Sequence, residues 1–194
     1  MHDRRGFTLV EILVTLAVLG ILMAIGMPAL QNTLRRNKLD LNTNEAASLL
    51  RLARLASIRQ SAPVHVEIDL AAPRIFAWVD RDRNAAYDPA LDRRVGQLAL
   101  VSGVVFWGPA DPAALGDDAV VGFERLGAIA VVLFEPDGSV DRAGALRFAD
   151  RTGNFIEVAI EPPATARVIR RKWHPAPIAR WRARGEAGEP WQWF

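Results

Sequence analysis

The sequence predicts an α+β protein, with one long N-terminal helix packed on an antiparallel β-sheet or β-sandwich head. Three observations predict it. An apolar run fills Phe7–Leu30, and an amphipathic pattern at three- and four-residue steps continues to about Ser61. Beyond Pro63 the apolar period changes to two, with no second helical pattern and no internal repeat.

The first six residues, Met1-His2-Asp3-Arg4-Arg5-Gly6, are polar and basic. The 24 residues from Phe7 to Leu30 that follow would span roughly 36 Å as a helix, enough to cross a bilayer core with some tilt. Glu11 interrupts this stretch near its start. A carboxylate costs about 2.5–3.5 kcal/mol at the membrane centre and less near its edge, so it needs a partner. Three readings fit such a segment: a secretory signal peptide, a plain transmembrane anchor, or a processed anchor in which Glu11 has a role. The first lacks a small-residue cleavage site after its apolar run. Flanking charges do not orient the segment, because Arg4 and Arg5 lie at one end and Arg35, Arg36 and Lys38 at the other. Gly20 and Gly26 allow close helix approach, and Pro28 is expected to kink or locally melt the helix.

In the next stretch Leu41, Glu45, Ala46, Leu49, Leu50, Ala53 and Ala56 recur at helical spacing, with Arg51, Arg54 and Arg59 on other faces. Leu52, Leu55 and Ile58 widen the apolar face, as expected if a sheet wraps it. A single helix from about Phe7 to about Ser61, stopped by Pro63, accounts for the pattern. Val64, Val66, Ile68 and Leu70 then alternate with His65, Glu67 and Asp69 as a half-buried strand. Further strands are expected at Arg74–Val79, Val95–Val101, Val104–Trp107, Val120–Glu124, Ala130–Phe134, Ala145–Ala149, Phe155–Ile160 and Val168–Trp173. Clusters of Gly, Pro and Asp separate them. The chain thus divides into 1–6, a leader; 7–30, a transmembrane helix; 31–62, an amphipathic stem; 63–173, a β-rich head; and 174–194, a basic, Trp-rich tail.

Composition narrows the function classes. The chain has no cysteine, which excludes disulfides and thiolate metal sites, and its three histidines show no metal-ligand spacing. Residues 164–194 carry seven Lys/Arg and two Glu, which leaves −3 on the rest of a chain whose formal net charge is +2. Four of the six tryptophans also fall in the last 22 residues, and basic groups interleaved with aromatic faces suit a nucleic acid. Docking of the tail on its own sheet, or on a neighbouring subunit, suits the same composition. Asp80, Asp82, Asp88 and Asp92 begin like a calcium loop, but Ala85 and Leu91 stand where that loop needs Gly and Glu. A turn held by Asx hydrogen bonds fits better, so no metal is expected. No nucleophile–base set is visible, and neither catalysis nor a cofactor is expected.

Gly6-Phe7-Thr8-Leu9-Val10-Glu11 resembles the type IV prepilin recognition sequence: a basic leader ending in Gly, then Phe, then Glu at the fifth mature position. The resemblance implies cleavage by a prepilin peptidase between Gly6 and Phe7, N-methylation of Phe7, and a cytoplasmic leader. It also implies that Glu11 pairs with the new amino group of a neighbouring subunit during assembly. Farther on, the stem ending Leu-Leu-Arg-Leu-Ala-Arg-Leu-Ala-Ser-Ile-Arg and the turn Phe134-Glu135-Pro136-Asp137-Gly138-Ser139 are similar to the GspH/FimT minor pseudopilins. That similarity implies a pilin-like fold and a single-pass inner-membrane protein with a periplasmic C-terminal domain. It implies a structural role at the tip of a type II secretion pseudopilus, with other minor and major pseudopilins or pilins as partners. FimT-like members instead bind DNA for uptake through a C-terminal Gly-Arg-x-Arg motif. Here Ala166-Arg167-Val168-Ile169-Arg170 is its nearest match, with Ala for Gly and Ile169 in place of the second Arg. The DNA-binding candidates are therefore Arg167, Arg170, Arg171 and Lys172.

Overall fold

A computed structural model describes residues 9–109, 120–174 and 180–183. The chain divides into two compact units, Met1–Asn37 and Lys38–Phe194. Helix α1 (Leu9–Gln60) contributes to both and continues through Pro28, so the helix does not melt there as the sequence suggests. Its N-terminal part is long and apolar enough to cross a membrane. Within it the side chains from Leu9 to Leu30 that are described are exposed, as suits a surface whose solvent is lipid.

The second unit is built from the C-terminal part of α1 and ten antiparallel strands. One five-stranded sheet runs β3-β2-β1-β6-β5, comprising β1 (Val64–Asp69), β2 (Arg74–Val79), β3 (Arg93–Ala99), β5 (Glu124–Leu126) and β6 (Ile129–Phe134). The other runs β10-β9-β8-β7-β4, comprising β4 (Val104–Phe106), β7 (Gly144–Asp150), β8 (Phe155–Ile160), β9 (Val168–His174) and β10 (Arg180–Ala183). The period-two reading of β1 holds: Val64, Val66 and Ile68 are buried, while His65, Glu67 and Asp69 are half-buried. Leu39, Ala46, Leu49, Leu50 and Ala53 on α1 join the strand residues in one apolar core.

Two helix contacts explain local sequence choices. Gly138 has φ +84° in the turn Glu135–Ser139, and its carbonyl accepts from Arg54 Nε at 3.0 Å. A Cβ there would lie 2.6 Å from Ile58 Cδ1, so a side chain would be both strained and obstructed. The Asp137 carboxylate closes the turn by accepting the Ser139 N–H at 2.9 Å.

Three expectations are corrected. Leu52, Leu55 and Ile58 are not wrapped by a sheet but are 55, 54 and 42 % exposed, because the core already takes Leu49, Leu50 and Ala53 from this part of α1. The strand expected at Val120–Glu124 lies at Glu124–Leu126; Val121 makes only an isolated bridge with Leu146. Finally, β10 arises within the segment read as tail. Its Arg180–Ala183 pair antiparallel with Arg171–His174, the alternative in which that segment docks on its own sheet.

Candidate functional site

Gly6 and Phe7 lie outside the described residues. Glu11 occupies the first turn of α1 and is exposed, two residues from the described start of the helix. A carboxylate in this turn also interacts favourably with the N-terminal helix dipole, by about 0.3–1 kcal/mol. Gly20 and Gly26 have nothing within 4 Å of the position a Cβ would take, so no contact within the described chain requires their small size.

The basic candidates of β9 fall into two groups by strand alternation. Arg170 and Lys172 point to one face, toward α1. Arg170 Nη2 lies 2.9 Å from Asp40 Oδ1 and donates to Thr43 Oγ1 at 2.8 Å, while Nη1 donates to Asn44 Oδ1. Lys172 is 2 % exposed, with Nζ 3.6 Å from Asp40 Oδ2. Arg171 points to the opposite face, where it meets Glu157 at 3.1 Å and also Glu161. Arg167 is exposed beside a shallow pocket shared with Asn44, Arg51, Val168, Ile169, Arg170 and Ala183. Three of the four candidates thus share carboxylates inside the head.

Sequence reading missed the most buried polar group on that opposite face. Arg147 and Glu157 sit directly opposite each other in the β7–β8 ladder, and Glu157 opposes Arg171 in β8–β9. Arg147 Nε donates to Glu157 Oε2 at 3.0 Å, with the two side chains 4 and 1 % exposed. The Arg147 guanidinium also stacks 5.2 Å over the Trp181 ring of β10, and Trp181 packs on Trp173 at 5.2 Å. Opposite charges at matched steps of two consecutive apolar strands, Arg147 and Glu157, were the available signal.

In the Asp-rich loop, carboxylate oxygens of Asp80, Asp82 and Asp92 come within 4.8 Å of one another. Asp80 accepts the N–H groups of Asn84 and Ala85 at 3.2 and 2.9 Å and lies 3.2 Å from His65 Nε2. Asp92 accepts those of Arg81 and Asp88 at 3.0 and 2.8 Å. Burial pushes the Asp80 carboxyl up, but the N–H groups of Ala85, Arg83 and Asn84 outweigh it and hold it below the usual range. Asp82 is pushed up, by desolvation first and then by neighbouring Asp80 and Asp92. These acceptors close the loop in the manner of an Asx turn. Asp150 uses the same device, since donors from Asn154 and Thr152 outweigh its burial and lower its pKa.

Comparison with known proteins fits the N-terminal geometry. Residues 1–27 match the family described as the prokaryotic N-terminal methylation motif. The chain is 36 % identical over 87 residues to the pilin-like protein PilA1 of Thermus thermophilus, covering 44 % of this chain and 54 % of that protein. It is 31 % identical over 108 residues to the prepilin peptidase-dependent protein D of Escherichia coli K12, covering 54 % of this chain and 63 % of that protein. The match therefore spans between about half and two thirds of the length of these relatives. Among solved structures, the minor pseudopilin EpsH of the Vibrio cholerae type 2 secretion system aligns at a TM-score of 0.45 and 14 % identity, over 68 % of this chain and 95 % of that one. The chain thus carries the methylation motif and is similar to pilin-like proteins over about half of its length.

Proposed function

We propose that this pilin-like subunit is a minor pseudopilin of a type II secretion system, a structural part of the pseudopilus tip that supports filament assembly. The observation that carries the reading is a methylation motif heading a 52-residue helix whose first part is apolar and whose last part holds a β-rich head. In this reading residues 1–6 form a cytoplasmic leader, residues 7–30 cross the inner membrane, and the head lies in the periplasm. The peptidase cuts between Gly6 and Phe7, and Phe7 is methylated. The small size of Gly20 and Gly26, unexplained by contacts among the described residues, serves close packing against neighbouring helices.

Processing tests the subunit reading directly. Intact mass spectrometry of the full chain, isolated from membranes of cells with an active prepilin peptidase, is expected to give a species starting at methylated Phe7. A chain that retains Met1–Gly6 would identify a plain membrane anchor instead.

The second reading is a FimT-like minor type IV pilin that binds DNA for uptake, and exposed Arg167 beside Arg51 favours it. The carboxylate partners of Arg170, Arg171 and Lys172 favour the secretion reading, because phosphates would have to displace them. In a gel-shift series, the detergent-solubilised chain is expected to leave duplex DNA unshifted at physiological salt. A shift that weakens steeply with salt and is lost on Arg167→Ala would transfer the protein to DNA uptake.

A further inference from the structure

The sheet β10-β9-β8-β7-β4 is buried on both faces at its centre, yet the described elements cover only one of them. All seven residues of β7 and five of the six in β8 are buried. Side chains alternate along a strand, so only half of them can face the core that this sheet shares with α1 and the other sheet. Leu146, Phe148, Ile156, Val158 and Ile160 do so. Ala145, Arg147, Ala149, Glu157 and Ala159 point the other way and are still at most 3 % exposed. An antiparallel sheet whose second face meets water carries accessible polar residues there instead. The ladders set Val105 beside Ala149, and Arg147 in a row with Glu157, Arg171 and Ala183. The outer face is thus a floor of alanines. Val105 and Trp107, 43 and 62 % exposed, border it on the β4 side, and Trp173 and Trp181 border it on the β10 side. No described helix or strand forms a layer over this floor, because α1 and both sheets meet in the one core on its inner side.

The point where the chain leaves the sheet indicates what covers the floor. Ala183 ends β10 and lies opposite Arg171, in a row of the outer face. Residues 184–194 follow, and they include Trp191, Trp193 and Phe194. These eleven residues can reach about 36 Å when extended. A five-stranded sheet is only about 19 Å wide, so the segment is long enough to cross it. Trp191 and Trp193 are two positions apart and fall on one side of an extended segment. Each indole can bury about 150–250 Å², which suits a floor of methyl groups with room above it. Trp181 Nε1 is buried without an acceptor, so the cover has to bring a polar atom as well as rings. We propose that residues 184–194 return across the outer face of this sheet, with Trp191 and Trp193 seated on Ala145, Ala149 and Ala159 and an oxygen of the same segment accepting from Trp181 Nε1. The segment then seals the Arg147–Glu157 pair from water, a task that Trp181 begins. It also commits the tail tryptophans to the head, which leaves them unable to stack on nucleic-acid bases.

The absence of cysteine from the sequence lets thiols be placed at will. Two full-length variants share Gln192→Cys. One adds Val105→Cys at the border of the floor, and the other adds Leu126→Cys, 85 % exposed on the other sheet. Treated with a short bismaleimide in detergent, the first is expected to give about tenfold more intramolecular crosslink than the second, because docking holds its thiols at a high effective concentration. Adding Trp191→Ala and Trp193→Ala to the first is expected to lower its yield to that of the second. Thiol accessibility then reads the floor itself. Ala159→Cys is expected to resist maleimide in the full chain and to react about tenfold faster once residues 185–194 are removed, with strand content by circular dichroism unchanged. Equal crosslinking at positions 105 and 126 would overturn the proposal. Crosslinks formed only between molecules would also overturn it, by placing the segment on a second copy. So would an Ala159→Cys that stays protected after truncation, since another segment then covers the floor. If truncation unfolds the head, the crosslinking ratio decides by itself.

Discussion

Replacing Glu157 by alanine is expected to lower the stability of the head by about 3–5 kcal/mol, the largest effect of any single polar change in it. The reason is the asymmetry between making and breaking a buried ion pair. Glu157 is 1 % exposed and its two oxygens face Arg147 Nε and Arg171 Nη1. Removing the carboxylate leaves the Arg147 guanidinium desolvated without its principal counter-charge, whereas Arg171 keeps Glu161. For a chain of this size the loss corresponds to roughly 6–20 °C in Tm, readable by thermal unfolding followed through tryptophan fluorescence. Trp181, which covers Arg147, reports on the same site. The double change Arg147→Met with Glu157→Leu supplies the contrast. It removes both charges and keeps apolar bulk between Ala145, Ala149 and Ala159, so it is expected to recover most of the lost stability. A Glu157→Ala variant within about 1 kcal/mol of the parent would show that the pair is solvated, contrary to its burial.

This ladder also marks the limit of what the residues disclose. The helix and most strands are legible because their signals are local: Pro63 ends α1, and the alternating runs of β1, β2 and β8 fall where the ladders place them. The Arg147–Glu157–Arg171 row needs register, and register is a property of three strands together. Residue by residue, the three charges read as solvated positions. Strand β10 was obscured for a different reason, since its Arg-Trp-Arg-Ala composition reads as a basic tail and only pairing with β9 makes it a strand. The exposed Leu52 and Leu55 show a third limit. Periodicity identifies which residues share a face but not whether the protein's own sheet covers it; here the sheets turn to Leu49, Leu50 and Ala53. The N-terminal methylation motif is legible because it is a linear pattern that requires no fold.

The second large effect concerns that motif. Glu11→Ala is expected to leave membrane insertion and cleavage after Gly6 intact while reducing incorporation into filaments about a hundredfold. In the proposed processing, cleavage creates an ammonium on Phe7 in the same low-dielectric layer as the Glu11 carboxylate. Each alone costs up to about 2.5–3.5 kcal/mol in the membrane, and a subunit that brings the two together relieves both. Losing one such pairing therefore weakens docking by about two powers of ten. Magnitude separates this role from a purely local one. As a favourable charge in the first turn of α1, Glu11 contributes only about 0.3–1 kcal/mol, a change of roughly two- to fivefold. Glu11→Gln keeps the hydrogen-bonding shape without the charge and is expected to fail like alanine. Glu11→Asp keeps the charge on a shorter arm and is expected to recover part of the incorporation. Quantifying the mature subunit in sheared filaments and in membranes from the same cells gives the ratio. Normal incorporation of Glu11→Ala would sink the pairing argument, and a two- to fivefold loss would reduce Glu11 to a helix-end charge.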